Sequence, residues 1–273
     1  MIRLIKKIIR KYFTVQKITP IKTPVYEGSL LSDKTALIVG GSGGIGSAMA
    51  ERFVANGCKV VITGTNEEKL RTLCEKIGPK CKYIIIDLKS PETFDEKLKE
   101  AIECYDKIDI LVNSAGVHCK DIFGNVSISE WDNVMNINLK GVYFMTQTVA
   151  NYMVDNGIKG HILNVSSASC AKPGWTPYEI SKSALKSMTC GFAHKLIPYG
   201  IVVNSIAPGP VATEMLGRGA GDNLKWEGNP TGRMATAEEI ANLAVTMVSD
   251  LGDLIVGDTY FISGGSGTIC LDK

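Results

Sequence analysis

An α/β fold, built on a mainly parallel sheet of about seven strands with helices on both faces, is predicted by three observations. From Lys34 onward, short apolar runs of strand length alternate with longer helix-forming segments, the order that gives parallel strands joined by crossover helices. The first run, Thr35 to Val39, passes directly into G-G-S-G-G-I-G and then into S-A-M-A-E-R-F-V-A, so that a strand, a glycine turn and a helix follow without a break. Finally, Tyr178 and Lys182 stand four residues apart just inside a helix start, which puts a phenol and an ammonium on one helical face.

At 273 residues the chain can bury the core of one large domain. Hydrophobic residues at 45% and charged ones at 21% are ordinary for a globular protein, so the distribution of charge says more than its total. Residues 1–26 hold seven of the 30 basic side chains and no acidic one, leaving 23 basic against 28 acidic in the body, a net of −5. An acidic body argues against a general nucleic-acid binder. The eight cysteines are scattered with no Cys-x-x-Cys, and three histidines do not make a histidine metal centre. The thiols therefore read as reduced, the protein as cytoplasmic and without a metal. No run of about 20 apolar residues could span a bilayer as a helix.

Residues 1–26 read as a basic leader and linker, and 27–273 as a single domain with a lid at about 214–233. In M-I-R-L-I-K-K-I-I-R-K-Y-F, Ile2, Ile5, Ile9, Tyr12 and Phe13 fall near one helical face and Arg3, Lys6, Lys7, Arg10 and Lys11 take the rest. Such a cationic amphipathic helix suits weak contact with a membrane surface; packing on a neighbouring subunit, a disordered leader or a targeting peptide are the alternatives.

The glycine turn spaces Gly40, Gly44 and Gly46 as Gly-x3-Gly-x-Gly, which lets backbone approach a pyrophosphate at a helix N-terminus. A doubly wound, Rossmann-type sheet binding a dinucleotide is the reading. The second strand, Lys59–Thr63, ends at Gly64, where an NAD-preferring site usually carries a carboxylate. No arginine stands there either, so NADP(H) is favoured over NAD(H), with Thr65, Asn66 and Lys69 as donors. Thr65 with Glu68 also has the form of a capping box. Strands follow at Lys82–Ile86, closed by Asp87-Leu88, and at Ile108–Val112, closed by N-S-A-G. Ser129–Val154 reads as one long helix with Asn138 at its middle, where an asparagine ordinarily faces solvent. A strand at His161–Val165 delivers Ser166 and Ser167, and Thr176-Pro177-Tyr178-Glu179 caps the next helix, placing Tyr178 in its first turn. There the ammonium of Lys182 and the positive helix end would both favour the phenolate. A strand at Ile201–Ile206 runs into A-P-G-P-V-A-T, then the glycine-rich lid, a helix at Ala237–Asp250 and a last strand at Thr259–Ile262.

In this order, G-G-S-G-G-I-G, Asp87, N-S-A-G, Asn138, the serine pair, Y-E-I-S-K and A-P-G-P-V-A-T resemble the short-chain dehydrogenase/reductase family over about residues 30–268, and the chain looks similar to its 3-oxoacyl-carrier-protein reductases. Sugar, steroid and polyol reductases share these motifs. The resemblance implies an NAD(P)(H)-dependent oxidoreductase that interconverts a carbonyl and a secondary alcohol through a tetrad of Asn138, Ser167, Tyr178 and Lys182. Tyr178 would move the proton, Ser167 would hold the substrate oxygen, Lys182 would bind the nicotinamide ribose, and Asn138 would position a relay water. Gly40, Ser42, Gly44, Ile45 and Gly46 would carry the pyrophosphate, Asp87 and Leu88 the adenine, and Asn113, Ala115 and Gly116 the adjoining ribose. Pro208, Gly209, Val211 and Thr213 would hold the carboxamide. His118, Cys170, Trp175, Met215 and Trp226 are expected to line the pocket of a small carbonyl or alcohol substrate. The family pattern also implies a homodimer or homotetramer paired through the helices that carry Asn138 and Tyr178. Val39 and Ser114 depart from the family's usual threonine and asparagine, and the short spacing from Ser167 to Tyr178 leaves Ser166 as an alternative. A dinucleotide sensor without chemistry, and a membrane-surface reductase of a lipid-linked substrate, are the competing functions.

Overall fold

The apolar runs become strands because every residue of the central ones is buried, as in β1 (Thr35–Val39) and β5 (His161–Val165). The computed structural model describes residues 18–19, 28–119, 123–218 and 221–269; the leader helix expected at 1–13 lies outside them. The other strands are β2 (Lys59–Gly64), β3 (Cys81–Ile85), β4 (Ile110–Asn113), β6 (Val202–Pro208) and β7 (Thr259–Ile262). They form one parallel sheet in the order β3-β2-β1-β4-β5-β6-β7. Order reverses between β1 and β4, so their C-terminal ends open the crevice where this topology binds ligands.

The crossover helices are α1 (Gly44–Ala55), α2 (Glu67–Ile77), α3 (Phe94–Tyr105), α4 (Ile128–Met135), α5 (Val142–Asp155), α6 (Pro177–Leu196) and α7 (Ala237–Met247). Alternate residues of the strands point to opposite faces, so the core is split in two. Ile38, Val60 and Ile62 pack against Met49 and Phe53 of α1, Leu70 of α2 and Ile240 of α7. Leu37, Val39 and Val61 pack on the other side against Phe94 of α3, Met145 and Val149 of α5 and Leu185 of α6. Among the described residues no helix is long and apolar enough to cross a membrane.

Two local expectations are corrected. The cap of α2 is Asn66, whose side chain accepts from the Lys69 amide at 2.9 Å, and Thr65 stands outside the helix. Asparagine one residue later competes successfully because its carboxamide oxygen reaches the third amide of the helix. The long helix expected over 129–154 is interrupted: residues Asn136–Gly141 form a π-helical turn between α4 and α5. The turn packs closely on the exit of β3, since a Cβ on Gly141 would lie 2.5 Å from the Leu88 carbonyl. Asn138 sits in that turn fully buried rather than facing solvent.

Candidate active site

At the C-terminal edge of the sheet, the glycine turn after β1 is folded tightly on itself. Gly40 has φ +80°, and a Cβ there would stand 2.5 Å from the Ala115 backbone after β4. A Cβ on Gly46 would meet the Gly40 carbonyl at 2.3 Å, and one on Gly44 the Thr213 methyl at 2.6 Å. The N-cap of α1, Gly43, has no side chain to satisfy the first helical amides. These bare amides, facing the segment after β6, form a cradle that fits a pyrophosphate.

On the other side of the crevice, β5 and α6 are locked together. Thr176 and Glu179 form the expected capping box, fixing Tyr178 in the first turn of α6. Lys182, one turn later, is buried and donates from Nζ to the Val165 carbonyl at 2.9 Å. Ser166 is buried and donates in turn to the Lys182 carbonyl at 3.1 Å, which holds its hydroxyl away from the phenol. Ser167 instead lines the cavity together with Tyr178, and its hydroxyl accepts the Ser169 amide at 3.2 Å. Of the two serines left open by spacing, Ser167 is the one at the phenol.

Burial pushes the Tyr178 phenol above its ordinary range, and the Ser167 hydrogen bond pulls it partly back. Burial also lowers the Lys182 ammonium to about 8. This differs from the acidified phenol that the sequence suggests: desolvation is the largest influence on Tyr178 in the protein alone, and Lys182 Nζ lies 5.8 Å from its ring centroid. Asn138 accepts the Val117 amide at 2.8 Å and donates to the Val117 carbonyl at 2.9 Å. Its carboxamide thus fixes the strand exit bearing Gly116, where a Cβ would sit 3.4 Å from Lys182 Nζ and 3.5 Å from Asn138 Oδ1. Gly116 keeps the space above the ammonium open.

A cavity of about 500 Å³ opens beside Tyr178, lined by Ile45, Ser167, Pro208, Gly209, Val211 and Thr213 among others. His118, Met215 and Trp226 line it as expected, with the His118 ring 4.5 Å from that of Tyr178. Cys170 and Trp175 do not. Cys170 is buried behind the wall, and Trp175 turns outward to pack edge-on against Phe123 at 5.6 Å. Leu216, Lys172 and Ser266 line the cavity without having been singled out. Ser266 follows β7 in G-G-S-G, so the rule that ligands sit beyond parallel strand ends would have found it.

Asn113, expected at a cofactor ribose, lies at the end of β4. It is buried and its amide nitrogen donates to Thr146 at 3.0 Å and to Asn164 at 2.9 Å, tying β4 and β5 to α5. Beside the start of α2, a depression of about 510 Å³ is lined by Ser42, Asn66, Glu68, Lys69, Thr72 and Glu214. Asp87 accepts the Lys89 amide at 2.9 Å beside buried Leu88. A Cβ on Gly64 would stand 3.1 Å from the Ser42 hydroxyl.

A glycine cradle, a switch-point crevice and a cavity lined by Tyr178 and Ser167, with Lys182 buried one helical turn from the phenol, are the features of a nicotinamide-dinucleotide-dependent oxidoreductase. The family model for short chain dehydrogenase matches residues 34–222, and the chain belongs to that family. It is similar to 3-oxoacyl-[acyl-carrier-protein] reductase FabG of Aquifex aeolicus, 33% identical over 244 residues, which are 86% of this chain and 98% of that protein. NAD-dependent glycerol dehydrogenase of Listeria innocua is 35% identical over 243 residues, covering 86% of this chain and 94% of that protein. Among solved structures, 3-ketoacyl-(acyl-carrier-protein) reductase from Brucella melitensis complexed with NADH superposes with a TM-score of 0.81 at 29% identity, over 88% of this chain and all of that one.

The buried ammonium carries a pH signature. Between pH 8 and about 10.4 the unfolded chain still binds a proton at Lys182 that the folded one has lost, so stability contributed by this site rises with pH across that window. Wild type is therefore expected to gain stability relative to Lys182→Met between pH 7.5 and pH 10, measured by denaturant midpoints. A gap that stays constant, or moves the other way, contradicts the buried ammonium.

Proposed function

We propose that the protein interconverts a carbonyl and a secondary alcohol of a small molecule, with Tyr178 as acid and base, Ser167 as donor to the substrate oxygen, and Lys182 and Asn138 completing the tetrad. The placing of Ser167 and Tyr178 together in the lining of one cavity, which Ile45 of the glycine turn's helix also reaches, carries this reading. A nicotinamide dinucleotide supplies or accepts the hydride when bound. Tyr178 gives a proton to the substrate oxygen in reduction and takes it in oxidation. Ser167, aligned by the Ser169 amide, donates to the same oxygen as negative charge develops. Lys182 would hold a ribose hydroxyl beneath Gly116 and, once charged there, favour the phenolate. Asn138 acts through Val117, keeping the Gly116 backbone clear of the ammonium. Tyr178→Phe is expected to lower kcat by about a thousandfold while leaving dinucleotide affinity within about twofold, read from NADPH oxidation across ketones, 3-oxoacyl thioesters and keto-sugars. Retained turnover removes Tyr178 as the acid.

NADP(H) is the favoured cofactor. Gly64 offers no carboxylate to a ribose hydroxyl, and the neighbouring depression presents Ser42, Asn66 and Lys69. Lys69 pairs with Glu214 at 3.0 Å, but both side chains are exposed, so a phosphate can take the ammonium from the carboxylate. Glu214→Gln should tighten NADPH binding by about threefold without changing NADH binding, because it removes a competitor for Lys69. Equal effects on both dinucleotides, measured by fluorescence titration, contradict the assignment.

The protein would act as a homo-oligomer. Tyr143 and Phe144 of α5 are each more than a third exposed, and they line a depression together with Met135, Leu139 and Met188. An apolar face of this size on the helices bearing Asn138 and Tyr178 fits a second copy of the chain. Tyr143→Glu is expected to reduce the native mass to that of the monomer in sedimentation equilibrium. An unchanged mass places the interface elsewhere.

A further inference from the structure

The segment carrying Trp226 is a short hairpin. Lys225 bridges Arg233 in antiparallel fashion, with Trp226 N–H donating to the Gly232 carbonyl at 2.9 Å and Met234 N–H to the Leu224 carbonyl at 2.8 Å. Its inner edge is joined to the domain, since Ala235 pairs in parallel with Val211, in the segment that faces the glycine turn. Arg233 also makes a two-pronged ion pair with Glu239 of α7, at 2.9 and 2.7 Å. Leu224 and Met234 are buried, so the hairpin is packed underneath.

The outer edge is covered by a residue from the opposite end of the chain. Ile18 N–H donates to Asn223 Oδ1 at 3.0 Å, and its carbonyl accepts the Leu224 amide at 3.1 Å. The same Asn223 oxygen accepts the Lys225 amide at 3.0 Å. A carboxamide and one backbone unit thereby clasp the edge that a hairpin would otherwise leave open, the same physics by which an added strand holds a sheet edge. Ile18 lies ahead of residues 34–222, the part that the family model matches, so this clasp is built from sequence outside the shared domain.

We propose that Ile18 is a positioning residue for the substrate cover: its backbone closes the outer edge of the Trp226 hairpin, holding Trp226 over the cavity and, through Ala235 and Val211, steadying the segment opposite the glycine turn. The inference rests on the proposed reading of that cavity as the substrate site. It assigns the polypeptide ahead of the domain a part in substrate binding, by main-chain pairing and not by side-chain chemistry. A second consequence is that this sequence can tune specificity without altering any residue of the tetrad.

The test compares full-length Ile18→Pro, which lacks the amide donor, with Ile18→Ala, which keeps it. Hydrogen exchange on the protein without ligand reads the clasp directly, and steady-state kinetics on the best ketone substrate reads its use. Ile18→Pro is expected to speed exchange at the Leu224 and Lys225 amides and to raise KM about fivefold with kcat unchanged, the loss of one hydrogen bond's net worth. Ile18→Ala should match wild type in both. Unchanged exchange in Ile18→Pro, or an equal effect of Ile18→Ala, overturns the clasp. Faster exchange with unchanged KM overturns the positioning role. Because exchange needs no turnover, a clasp that fails is distinguishable from a protein that reduces no carbonyl at all.

Discussion

Burying an ammonium is the constraint around which this site is arranged. Among the described residues Lys182 has no carboxylate partner; it is held by the Val165 carbonyl at the end of β5, and its own backbone carbonyl is held by Ser166. That reciprocal pair welds α6 to β5 in one register. Tyr178 is then placed by helical geometry and Ser167 by strand geometry, so that both line one cavity. A charge kept in such a position costs stability, which is why its surroundings are rigid: the capping box at Thr176, the fully buried Asn138 and the open space at Gly116 all converge on it.

The two sides of the crevice are built by different means. The phosphate side depends on absent side chains, with Gly40, Gly44 and Gly46 each at a contact no Cβ could share. The chemical side depends on side chains over-determined by hydrogen bonds. Thr213 touches the first side and lines the cavity of the second, so the segment after β6 joins the glycine turn to the cavity. Through the Val211–Ala235 bridge that segment is also continuous with the Trp226 hairpin.

Most of the fold was legible because buried parallel strands leave unbroken apolar runs, and β1, β5 and β7 begin and end where those runs do. The capping box of α6 was legible for the same kind of local reason. What was not legible depended on distant packing. The π turn at Asn136–Gly141 packs on Leu88, far away in sequence, and nothing near Asn138 marks it as buried. Asn113 looks like a ligand residue beside N-S-A-G, yet Thr146 and Asn164 engage its amide nitrogen. Trp175 follows the serines as a pocket residue would, but the backbone turns it toward Phe123. The pairing of Ile18 with Asn223 and Leu224 spans nearly the whole chain, and no local pattern announces it.

The central claim is that the phenol, the serine hydroxyl and the buried ammonium face one bound dinucleotide. A crystal structure of the complex with the oxidised dinucleotide tests this most directly. The account predicts pyrophosphate oxygens on the amides at the start of α1 and the nicotinamide ring beside Tyr178, with a ribose hydroxyl on Lys182 Nζ. A dinucleotide bound away from the glycine turn, or a nicotinamide ring turned away from Tyr178 and Ser167, would contradict it.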